Sequence, residues 1–89
     1  METKDEILRG SDAKRILESP VYIDAMDSVK QGIISSMGLS ALGDTETHNR
    51  LVIALQLLEQ IQKSLTDIML TGEMAELQVK DKKKIFSFG

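Results

Sequence analysis

The chain has 89 residues, among them eleven leucines, nine isoleucines, one tyrosine and two phenylalanines, with neither cysteine nor tryptophan. Such a length holds one domain with a small core, and the aliphatic bias suits helix packing better than a pocket built around a ligand. The lack of cysteine excludes a disulfide framework and thiolate metal ligation. The net charge of −3 is unevenly held: residues 1–79 carry seven basic and thirteen acidic side chains, whereas residues 80–89 carry four basic and one acidic. A body of that sign repels polyanions and a tail of the opposite sign attracts them.

In chain order, the first segment is an arm. Residues 1–10 are mostly polar and end in Gly10, which reads as a flexible or partner-ordered N-terminal arm with a short helical turn around Glu6 to Arg9. Its acids stand where a secretory signal would have an apolar run. Ser11 or Asp12 then offers a side-chain oxygen to cap a short helix through Ala13, Ile16 and Leu17, which Pro20 terminates. Ser19 and Pro20 together make a stop and a restart, because serine caps well and proline fits the first helical position.

From Pro20 onward, Tyr22, Met26, Val29, Ile33 and Met37 recur at helical spacing while Asp24, Asp27 and Lys30 fall off the stripe. The pattern predicts an amphipathic helix ending at Gly38. Gly32 lowers helix stability, and its simplest use is to admit a neighbouring backbone. Residues 38–47, with Gly38 and Gly43, read as a loop in which Leu39 and Leu42 are available to tuck over the end of the helix pair. The next helix is capped by Asp44 or Thr45. It runs through Ala54, Leu58, Ile61, Leu65, Ile68, Gly72 and Ala75 at an unbroken 4-3 spacing, a heptad seam. Gly72 either ends this helix just after Thr71 or lets another helix pack closely; since Glu73 to Val79 are helix formers, the prediction is a helix with a weak point there.

These elements predict an all-α fold: an antiparallel helical hairpin of two long helices, with a short N-terminal helix and an extended C-terminal tail. The expected divisions are a flexible arm over 1–10, a hairpin domain over 11–79 and a docking tail over 80–89. The longest strongly apolar stretch, Leu51 to Leu58, is far short of the ~20 residues that a membrane helix needs, so no membrane span is expected.

Chemistry-bearing constellations are sparse. His48 is the sole histidine, and Asp44 four residues earlier could share its helix face; with no further convergent group the pair reads as a solvated first turn rather than a metal or acid–base site. Ser35, Ser36 and Ser40 lie outside any nucleophile-elbow pattern, and neither Gly38 nor Gly43 belongs to a phosphate-binding motif. No catalytic, metal or cofactor residue is assigned. The residues assigned to partner binding are Leu51 and Leu55, which widen the seam, and the tail residues Lys82, Lys83, Lys84, Ile85, Phe86 and Phe88. In the tail the lysines supply attraction. Phe86 and Phe88 fall on one side if the segment is extended.

Three runs carry a resemblance: Ala13-Lys-Arg-Ile-Leu-Glu-Ser-Pro-Val-Tyr-Ile-Asp-Ala-Met-Asp-Ser-Val29, Thr47-His-Asn-Arg-Leu-Val-Ile-Ala-Leu-Gln-Leu-Leu58, and Leu65 to Ala75 with its Thr71-Gly-Glu-Met-Ala75 finish. Over roughly residues 11–77 the chain resembles small helical proteins encoded by tailed double-stranded DNA bacteriophages. The resemblance implies a virion or morphogenesis component, not an enzyme, located in the virion or the host cytoplasm. Its partners would be other protein subunits in a homo-oligomer or a larger viral assembly. Two other classes fit the same residues: a soluble phage-encoded regulator that binds and inhibits a host protein, and a small nucleic-acid-binding protein using the basic tail.

Overall fold

The computed structural model describes the backbone of residues 3–87 and the side chains as far as residue 82. Its elements are three helices, α1 (Thr3–Glu18), α2 (Pro20–Leu39) and α3 (Thr45–Ser87), and there is no strand among the described residues. The all-α expectation therefore holds. The chain divides into two compact units, one of Met1–Leu17 with Ser64–Gly89, the other of Glu18–Lys63.

In the first unit, α1 meets the C-terminal part of α3 through small residues. A Cβ placed on Gly10 would lie 2.7 Å from the Gly72 Cα and 3.2 Å from the Ile68 carbonyl oxygen; one placed on Gly72 would lie 2.8 Å from the Glu6 carbonyl oxygen. No side chain fits there. Two backbones in such contact can add weak Cα–H···O interactions to dispersion. Three residues further along each helix lie Ala13, 3% exposed, and Ala75, 2% exposed. These two alanines and the two glycines are the buried residues among those described.

This crossing corrects the expected N-terminal arm. Residues 3–10 form the first half of α1, and Gly10 sits inside the helix, not at its start. A mid-helix glycine costs about 1 kcal/mol relative to alanine, and here the close approach to α3 offsets that cost. Asp12, expected as a cap, lies within the helix and pairs with Arg15 one turn on. Gly72 likewise admits a neighbouring backbone without interrupting α3, and the seam extends one further step to the half-buried Val79.

The second unit holds α2, the turn and the N-terminal part of α3. Ser19 alone separates α1 from α2; its backbone is extended (φ −66°, ψ 122°), its Oγ accepts from the Tyr22 N–H, and Pro20 follows in the first turn. Stop and restart thus occur where the Ser-Pro pair places them. At its other end, α2 reaches Leu39, and Ser40 closes it by donating from Oγ to the Met37 carbonyl at 2.8 Å. The connection spans residues 40–44, shorter than the expected 38–47, with Gly43 at φ +94° in a turn closed by the Asp44 N–H donating to the Ala41 carbonyl. Only glycine adopts that backbone angle freely. Asp44 then caps α3: its Oδ1 accepts from the Thr47 N–H at 3.2 Å, and its carboxyl is held below the usual range by its hydrogen bonds with Thr47.

Three further expectations are corrected. Gly32 faces open space, with nothing within 4 Å of an added Cβ, so no neighbouring backbone passes there within the chain. Leu39 and Leu42 do not tuck over the helix ends: both are exposed, Leu42 completely. The extended tail is replaced by helix as far as Ser87, because Lys80-Asp-Lys-Lys-Lys84 contains no proline or glycine to stop α3. Phe88 lies outside the described residues.

The glycines give opposite predictions. Gly72→Ala drives a methyl group into the Gly10 backbone and should lower stability by about 1–3 kcal/mol despite the better helix propensity of alanine. Gly32→Ala, measured in dilute solution, should raise it by up to about 1 kcal/mol; equal effects in urea titrations followed by circular dichroism would contradict the close crossing. The Asp44 cap has a pH signature. Since folding lowers its pKa from the ordinary 3.8, the cap's contribution is present above that value and lost as pH falls through the folded pKa. Asp44→Asn keeps a capping oxygen and should flatten the fall in thermal midpoint below pH 4, an outcome that melting curves across pH 2–6 would test.

Candidate partner-binding surface

Leu51 and Leu55, two of the residues assigned to partner contact, are half-buried on the same arc of α3 as Ala54 and Leu58. On α2 the half-buried set is Tyr22, Met26, Ile33 and Met37, four of the five residues of the expected stripe, with Val29 exposed. The half-buried residues thus follow helical spacing on both segments. No residue between Glu18 and Lys63 is buried.

The aliphatic residues left open lie beside those arcs. On α3, Ile53, Leu57 and Ile61 are 54%, 61% and 53% exposed and recur every four residues, so they form one ridge. Ile61 was expected inside the seam. It sits at the edge of the covered arc, where the ridge and the seam converge. On α2, Val21, Ile23, Val29 and Ile34 are exposed as well. In the other unit, Leu70, Met74 and Leu77 make a second short stripe on α3, about half a turn from Gly72 and Ala75 and more than two-fifths exposed throughout. Its 4-3 spacing is visible in the sequence, but the stronger seam on the same helix hides it.

The expected tail contacts are only partly placed. Lys82 is exposed on α3, and the backbone of Lys83, Lys84, Ile85 and Phe86 continues that helix, while Phe88 is outside the described residues. A same-side arrangement of the two phenylalanines needs an extended backbone, and at Phe86 the backbone is helical.

Among the described residues, Glu6, Arg9, Asp67 and Thr71 line an open pocket of about 250 Å³ in the first unit. His48 is exposed in the first turn of α3, near an open groove of about 340 Å³ beside the turn. Among the described residues there is no group of three or more His, Cys, Asp or Glu that could hold a metal ion, and no helix long and apolar enough to cross a membrane. The exposed Glu46 and Arg50 pair across one turn at 2.6 Å, a contact worth only a few tenths of a kcal/mol on a helix surface. Comparison with protein-family models, curated proteins and solved structures gives no match for this chain.

One polar atom stands out on the inner side of α2. The Tyr22 hydroxyl is buried without a hydrogen-bond partner, which leaves its desolvation uncompensated. Tyr22→Phe removes that penalty while keeping the ring and should stabilise the fold by about 1 kcal/mol. An unchanged or lowered midpoint in urea would show that the hydroxyl is in fact satisfied.

Proposed function

We propose that this chain is a non-enzymatic structural or assembly component of a bacteriophage particle, working in the virion or in the host cytoplasm before assembly is complete. In this reading, α2 and the first part of α3 form an antiparallel hairpin. The hairpin binds partner subunits through aliphatic residues that its own fold leaves open, and the stretch from Lys82 to Phe88 adds a second contact. The observation that supports it is the imbalance in residues 18–63, where nothing is buried and nine large aliphatic side chains are exposed. Monomeric proteins rarely leave so much apolar surface in contact with water, and an assembly supplies the missing cover. The resemblance to small phage proteins in residues 11–77 supplies the setting.

Mass spectrometry of purified particles tests the reading. The chain should be present at a fixed copy number, and removing residues 80–89 should reduce its incorporation. Absence from particles together with recovery on a single host protein from infected cells would reject the structural role in favour of a regulator.

A further inference from the structure

We infer that α1 is a latch: it lifts from α3 by movement at Ser19 while residues 20–63 stay folded, and its lifting uncovers an apolar strip on the C-terminal part of α3. The crossing in the first unit is a line of contact rather than a packed face. At Gly10 and Gly72 the backbones touch, and a cleft runs along each flank. Glu6, Arg9, Asp67, Ile68 and Thr71 border one of about 250 Å³, while Ile7, Ser11, Lys14, Met69, Glu73 and Glu76 border another of about 260 Å³. Arg9 and Thr71 each precede their glycine by one residue, and Ser11 and Glu73 each follow by one. At 100° per residue those pairs project to opposite sides, so the clefts lie on either side of the contact line. Each has room for several water molecules. Arg9, Lys14 and Asp67 on the cleft walls are exposed and make polar contacts, and contacts between exposed side chains hold weakly.

α1 depends on this docking. It has 16 residues with Gly10 near its middle, and an isolated helix of about that length is marginal in water even without a glycine. Its tie to α2 is Ser19 alone. Pro20 keeps that residue extended, and the Ser19 Oγ caps α2 through the Tyr22 N–H, so α2 keeps its start when α1 lifts.

Residues 18–63 have no such freedom. They are joined to the first unit at both ends, at Glu18 and along the unbroken α3. To open beneath a closed crossing they must become a loop of 46 residues, which gains less entropy than a free chain. Opening is therefore ordered: α1 lifts first and general unfolding follows. Lifted, α1 leaves Ile68, Met69 and Ala75 uncovered around Gly72. A Cβ on the covering helix at position 10 would lie 2.7 Å from the Gly72 Cα, so a helix with any side chain there is held off the strip, and the latch recloses on its own glycine.

Hydrogen exchange of the full chain, followed by mass spectrometry of overlapping peptides, tests the latch. Protection in residues 5–17 should be at least about 10-fold lower than in residues 22–37. Changes in the second unit should leave α1 untouched. Asp44→Ala should lower protection in residues 22–37 by about 5-fold, Gly32→Ala should raise it by up to about 5-fold, and residues 5–17 should exchange at the wild-type rate in both. Gly10→Ala, which forces the helices apart, should lower protection in residues 5–17 by about 10-fold or more. If Asp44→Ala fails to fold, Gly32→Ala decides the matter, because its added methyl group meets nothing within 4 Å and alanine favours the helix. Equal protection of the two segments in the wild-type chain, equal shifts of both in Gly32→Ala, or unchanged protection of residues 5–17 in Gly10→Ala would each overturn the proposal.

Discussion

A helix can cover only part of its neighbour's circumference, and that limit governs this molecule. α2 and the N-terminal part of α3 half-bury the residues on one arc each, yet aliphatic side chains on both helices extend well past those arcs. No third element of the same unit lies over the remainder. In the other unit glycine and alanine sit at the closest approach of the helices, and Ile7, Leu17, Leu65, Ile68 and Met69 are half-buried beside them. A methyl group contributes on the order of 1 kcal/mol when removed from water, and the two fully covered apolar side chains of the described residues are single methyl groups. The larger apolar side chains that are covered, such as Ile33, Leu55, Leu58, Leu65 and Ile68, are covered only in part.

The two units solve the packing problem differently. The crossing at Gly10 and Gly72 depends on the absence of side chains and tolerates no enlargement. The second unit depends on a regular stripe of medium and large side chains, and the Asp44 cap and the positive φ of Gly43 set where its second helix begins. Steric exclusion makes the first contact specific. The turn chemistry does the same for the second, by fixing where α3 begins.

Much of this was legible in the sequence, for a definite reason. The half-buried residues of α2 and α3 recur at helical spacing, and periodicity is a local signal that survives without knowledge of the partner. Ser19 with Pro20, and Asp44 with Gly43, are local signals too, and they mark the true element boundaries. What the sequence misplaced depends on distant contacts. Gly10 looks like a helix stop because the glycine that offsets its cost is more than sixty residues away; Gly32 looks like a close-approach site although its side of α2 is open. A glycine within a helix has the same local signature in either case. The tail was read as extended from its charge and aromatics, although a run of lysines without a breaker continues a helix. Leu51 and Leu55, assigned to partner contact, lie half-buried with Ala54 and Leu58, while the exposed α3 aliphatics of this unit are Ile53, Leu57 and Ile61.

The single-residue junction at Ser19 and the distant pairing of Gly10 with Gly72 bear on how an unfolded chain closes. The turn at residues 40–44 joins its helices over a few residues, whereas the crossing joins positions more than sixty apart. Loop-closure entropy grows with the logarithm of the span, and the difference here is about 2 kcal/mol. Once the intervening 46 residues of Glu18–Lys63 are folded, the effective loop shrinks and most of that penalty disappears. The glycine crossing is therefore cheapest to form after residues 18–63 have folded.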